Sequence, residues 1–253
     1  MSVPSATMQN TESALGLPIA DTTAWTGADY PDDRAYVHEL NAEMAAEIIA
    51  ATATALRAGY SPETITRDAF PLPRCADLMR AAYQEIESSV GFGLVGNFPV
   101  DELRESELED GALALGYAGF CSHFGTITMQ NREGEFVLEV TDKGKSYSRH
   151  SRGYHSTAHL DFHNDGTNTV TLLCTQTAAE GGLSKLVSGP AVYNAMLAEC
   201  HHLLAPLHRG FQHHRRDQKA TTDAPVTPYR TPVFTFYDRL FHMAYAGPSI
   251  FFC

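Results

Sequence analysis

The residues best suited to chemistry are His163 and Asp165, separated by Asn164 in the run Leu160-Asp161-Phe162-His163-Asn164-Asp165-Gly166. Alternate residues of an extended strand share a face, so an imidazole and a carboxylate at this spacing would enter one cavity. Nitrogen with hard oxygen ligands suits Fe(II), and two His plus one carboxylate leave three coordination positions open. A second H-x-D, His159-Leu160-Asp161, lies just upstream, and in a chain with 12 His spacing alone does not choose between the two. Either way, only a short part of the 253-residue chain follows to supply a third ligand.

Such a pair needs strands to aim it. After Gly125 the chain turns to short β-rich runs bounded by Gly, Asn, Asp and Pro, at 126–129, 136–140, 169–174, 183–187 and 233–237. Gly181-Gly182 permits a tight reversal. Ser184, two residues on, would turn its hydroxyl into a barrel beside a metal, or bond its own backbone as turn hydroxyls commonly do. Helices come first. Leu40, Met44, Ile48, Thr52 and Leu56 recur at helical spacing and end at Gly59; a second helix is expected from 72 to about 87. Residues 91–96 read as a short buried strand, and Leu103, Leu108, Leu113 and Leu115 return to helical spacing. One later helix, from Ala191 to about Leu204, follows Pro190, a residue suited to a first turn. Helices followed by a β-dominated body favour an α+β jelly-roll-like barrel over a doubly wound parallel sheet. The polar start predicts a mobile tail over 1–24, with one domain over 25–253.

Composition narrows the field. Hydrophobic residues at 43% and charged residues at 19% describe an ordinary globular chain with a real core. Acidic residues outnumber basic ones 30 to 18, and the net charge of −12 repels phosphate backbones and anionic membranes. Five dispersed cysteines form no C-x-x-C pair and read as buried thiols in a reducing compartment. Without a signal peptide or an apolar span, a cytoplasmic location is expected. No G-x-S-x-G, H-E-x-x-H, P-loop or dinucleotide-binding glycine motif is present.

The stretch YHSTAHLDFHNDGTNTVTLLCTQTAAEGGLSKLVSG, residues 154–189, resembles the core of the TauD/TfdA family of Fe(II)- and 2-oxoglutarate-dependent dioxygenases. GFGLVGNFPV at 91–100, the run 123–134 with Gly125 and Gln130-Asn131, and YRTPVF at 229–234 followed by Asp238, Leu240 and Tyr245 extend the resemblance to about 25–250. It implies a double-stranded β-helix (jelly-roll) core with N-terminal helices. It also implies that His163 and Asp165, rather than His159 and Asp161, are iron ligands. Ser184 takes the place of a hydroxyl that bonds the distal carboxylate of 2-oxoglutarate, and Gln130 falls where some members contact substrate. The implied reaction hydroxylates a C–H bond of a small organic molecule while O2 converts 2-oxoglutarate to succinate. The carboxylate retained at Asp165 argues against halogenation, since aliphatic halogenases of this superfamily lack it.

The resemblance also places a third His ligand and a cosubstrate-binding Arg far downstream, and no residue here matches either. The chain is therefore expected to lack the family's C-terminal part. Exposed sheet edges would then favour homo-oligomers or pairing with another chain. His242, near a late strand, is the best substitute ligand. His201 and His202 fall on the expected helix, and His208, His213 and His214 in a solvated loop. The alternatives are an inactive fold remnant that binds a small molecule or partner chain, and a cupin-like metal protein using His163, Asp165 and His242.

Overall fold

The computed structural model describes residues 16–32, 36–105, 111–131, 133–144, 159–215, 224–238 and 240–247. Leu108, residues 154–158 of the matched stretch and the 248–253 end lie outside them. The chain divides into two compact units, each built from separated segments.

The helical unit comprises Gly27–Leu138 and Thr169–Leu186. Helix α1 (Ala42–Arg57) starts where the Asn41 side chain accepts the Met44 N–H, and it buries Ile48, Thr52 and Ala55. Buried Thr52 satisfies its hydroxyl by donating to the Ile48 carbonyl at 2.8 Å. Helix α2 (Ala76–Ser88) has no capping side chain of its own. Glu47 of α1 reaches across instead, its carboxylate accepting the N–H groups of Arg74 (2.9 Å) and Cys75 (3.2 Å). Orphan donors and the positive helix end both favour that anion. Of the short buried strand expected over 91–96, Leu94–Gly96 forms β2, pairing in parallel with β1 (Val37–Glu39), but it is not buried and Leu94 is exposed. His38 ties this ribbon to α2 through Glu85 at 2.8 Å.

Helices α3 (Val100–Glu105) and α4 (Ala112–Cys121) follow. A Cβ on Gly116 of α4 would lie 2.7 Å from the Thr52 hydroxyl, and one on Gly119 would collide with the Phe70 ring. Small residues on α4 thus let it sit against α1 over a core of Ile48, Phe70, Leu103 and Leu115.

The second unit takes residues up to Thr26, Glu139–Asn168 and Val187–Cys253. Helix α5 (Gly189–Glu199) begins at Ser188, whose hydroxyl accepts the Ala191 N–H, with Pro190 in the first turn. A 3-10 turn (His201–Leu203) and α6 (Leu204–Arg209) follow. Strands β3 (Phe234–Tyr237) and β4 (Leu240–Met243) form an antiparallel hairpin that turns through Asp238 at φ 48°. Inward residues of the hairpin pack Phe234, Phe236 and Phe241 around the fully buried ring of Tyr193.

Part of the segment expected as a tail is hydrogen-bonded to α5 and its cap. Asn194 of α5 accepts the Ile19 N–H (2.8 Å) and donates to the Ile19 carbonyl (2.7 Å). The Tyr193 hydroxyl accepts the Gly16 N–H at 3.0 Å, and Ser188 donates to the Thr23 carbonyl at 2.6 Å. Residues 16–23 are thereby strapped to α5, and residues 1–15 lie outside the described ones.

The strand expectations fare unevenly. The run at 233–237 becomes β3, but 126–129, 136–140, 169–174 and 183–187 form no regular ladder among the described residues. Leu172 and Leu183, within two of those runs, are exposed. A β-run lacks stability without a partner edge, whatever its composition. The architecture is mixed helix and sheet. No helix among the described residues is long and apolar enough to cross a membrane.

Candidate metal centre

His163 and Asp165 lie in the second unit on a segment outside any regular strand, contrary to the expectation of a strand. They nevertheless share a side, with His163 Nε2 at 3.9 Å from Asp165 Oδ1. Metal bonds to nitrogen and oxygen of about 2.1 Å put two ligands of one ion at most about 4.2 Å apart, and about 3.0 Å apart at a right angle. The pair falls inside that limit and would close by roughly an ångström around an octahedral ion.

The ring is committed at its other nitrogen. His163 Nδ1 lies 2.7 Å from the Asp161 carbonyl, which can only accept, so Nδ1 carries the proton. Nε2 is the ring nitrogen that faces Asp165. A backbone carbonyl on the distal nitrogen is the usual arrangement behind a metal-binding imidazole.

The competing pair has almost the same separation, His159 Nε2 to Asp161 Oδ1 at 3.8 Å. Enclosure separates them. The side chains of His159 and Asp161 are 83% and 76% exposed, against 39% and 57% for His163 and Asp165. Water competes less for ligands that are already partly enclosed.

Asn164, between the two candidate ligands, is held from both ends. Its N–H donates to the Tyr245 carbonyl at 2.7 Å, and its Oδ1 accepts the Tyr245 N–H at 3.0 Å. Neither this residue nor Tyr245 stands out by chemistry. The available signal is geometric: the middle residue of an H-x-D faces away from the pair, toward whatever anchors it.

The other expected site residues are placed as follows. Ser184 and Gln130 belong to the helical unit, both exposed. Gly181 and Gly182 take φ of 73° and 70°, in the left-handed region that glycine allows. Gln130 donates from its side chain to the Thr128 carbonyl at 2.7 Å. His242 is exposed on β4, and among the described residues no third His, Cys, Asp or Glu joins His163 and Asp165.

Other perturbed groups have structural explanations. Cys121 donates to the Thr171 hydroxyl at 3.3 Å, and burial pushes its thiol upward. Burial likewise raises the Tyr117 phenol above its ordinary range. His123 is lowered by burial and bonds the Phe70 carbonyl at 2.8 Å. Cys121 and His123 thereby tie neighbouring segments of the helical unit together.

A family model described as taurine catabolism dioxygenase TauD, TfdA family matches residues 56–249. The chain is 27% identical over 226 residues to FR-33289 synthase of Streptomyces rubellomurinus, covering 88% of this chain and 65% of that protein. It is 26% identical over 185 residues to taurine hydroxylase-like protein SAT17 of Stachybotrys chartarum, covering 70% of this chain and 47% of that one. The chain thus spans less than two thirds of the length of either relative.

Proposed function

Because the chain belongs to the TauD/TfdA dioxygenase family, we propose that it is an Fe(II)- and 2-oxoglutarate-dependent oxygenase that hydroxylates a C–H bond of a small organic molecule. The observation that carries this reading is the His163–Asp165 pair, 3.9 Å apart with the far side of the imidazole held by Asp161. The donor set fits the metal: one neutral imidazole nitrogen and one carboxylate oxygen are two members of a two-His, one-carboxylate site. When bound, iron with 2-oxoglutarate and O2 supplies the oxidising power, and the cosubstrate leaves as succinate and CO2.

The chain's own residues bind and orient. Asp161 fixes the His163 tautomer, and Asp165 contributes the negative charge that draws a divalent cation. Ser184 is assigned to donate its hydroxyl to the distal carboxylate of 2-oxoglutarate, and Gln130 to contact substrate. A carboxylate at 165 fills a metal position and favours hydroxylation over halogenation. The reading carries with it a jelly-roll core for the family domain, a cytoplasmic setting, and no nucleic-acid partner. The comparisons lend no support to the alternative of an inactive remnant.

Anaerobic titration with Fe(II) and 2-oxoglutarate tests the reading. A weak visible absorption band should develop in the wild type, persist in His159→Ala and vanish in His163→Ala. If the wild type gives no band under these conditions and no succinate once O2 is admitted, the chain is not an oxygenase as it stands.

A further inference from the structure

Resting on the metal-centre reading, we propose that Asn164 is a positioning residue, locking the segment between the two ligands onto the aromatic core of the second unit through Tyr245. The need arises because His163 and Asp165 have no regular strand to hold them. A sheet would fix successive side chains on opposite faces through its ladder. Here one residue supplies a substitute for that ladder. The Asn164 N–H donates to the Tyr245 carbonyl, and the Tyr245 N–H returns to Asn164 Oδ1, closing a ring of two hydrogen bonds.

That ring is anchored in turn. Ala244 donates its N–H to the Val233 carbonyl at 2.9 Å, and Tyr245 packs against the cluster of Tyr193, Val233, Phe234 and Phe236. A continuous path therefore runs from a buried core to the backbone between the candidate ligands. One hydrogen bond would leave the segment free to swivel. Two to the same residue fix its rotation, and so the side toward which His163 and Asp165 point. Only the Asn164 side chain can be removed without breaking the backbone half, which makes the proposal testable.

The experiment compares wild type, His163→Ala, Asn164→Ala and Asn164→Asp, the last keeping an acceptor oxygen. Three quantities are read: Mn(II) affinity by electron paramagnetic resonance, hydrogen exchange at the Tyr245 N–H, and the His163 tautomer from ring nitrogen shifts in metal-free protein. Asn164→Ala should lose protection at Tyr245, move His163 toward the tautomer mixture of a free imidazole, and weaken Mn(II) binding about ten-fold or more. Asn164→Asp should restore the protection and the tautomer. Unchanged Mn(II) affinity and tautomer in Asn164→Ala, with binding abolished in His163→Ala, would overturn the positioning role alone. Unchanged affinity in His163→Ala would overturn the metal-centre reading itself, and the positioning role with it. Should Asn164→Ala fail to fold, the near-isosteric Asn164→Leu takes its place with the same expectations.

Discussion

At the scale of single residues, Cys75 shows how position and chemistry can oppose one another. A thiol at a helix N-terminus is ordinarily acidified by the local dipole. Here burial, and then the neighbouring Glu47 carboxylate, push it from 9.0 up to about 12. The folded state therefore keeps a proton that the unfolded chain gives up. Below pH 9 both forms are protonated and the contribution is fully present; it is lost as pH rises toward 12. Thermal unfolding midpoints measured from pH 8 to 11 should fall more steeply for the wild type than for Cys75→Ala. At pH 8, alkylation should reach the exposed Cys174 and spare buried Cys75. Glu47 was not legible as a helix cap in the sequence, because it acts on a helix other than its own.

Among the elements, the strap and α5 depend on side chains that bond backbone. Asn194 satisfies both polar groups of Ile19, and Ser188 both caps α5 and holds Thr23. Asn194→Ala should cost about 1–3 kcal/mol by leaving those groups without their partner. Limited proteolysis should then cut within 16–24 faster than in the wild type. Helices were the readable part of this chain, for a physical reason. The recurrence of Leu40, Met44, Ile48, Thr52 and Leu56 and the Pro190 before α5 act within a few residues of one another. Strands depend on an edge supplied from elsewhere. Residues 169–174 have strand composition, yet Val170 and Leu172 are exposed and unladdered, whereas 234–237 finds its partner directly across a short turn. The H-x-D pair was legible as chemistry, but what holds it was not, since Asn164 and Tyr245 meet only in the fold.

For the molecule as a whole, two features stand out: division into two units, and apolar side chains left at the surface. Val170, Leu172, Leu183 and Leu186 are all exposed in the helical unit. Apolar β-forming runs without a partner edge are pairing sites. Sedimentation velocity should show self-association that grows with protein concentration. The double substitution Leu172→Thr with Leu183→Thr should suppress it while shifting the unfolding midpoint by little, since neither side chain is buried. Persistence of the association in that variant would place the contact elsewhere.

The interleaving of segments has a consequence for synthesis. The helical unit takes its last piece from residues 169–186, so translation must pass that point before the unit can close. The strap waits longer, because Ile19 emerges early while its partner Asn194 lies 175 residues behind it. Closing a loop of that length carries a larger entropic cost than any local contact, and contacts so distant slow folding. Throughout that interval the apolar Ile19 is without its place in the core. A nascent chain of this protein should therefore draw chaperones to its first segment until α5 leaves the ribosome.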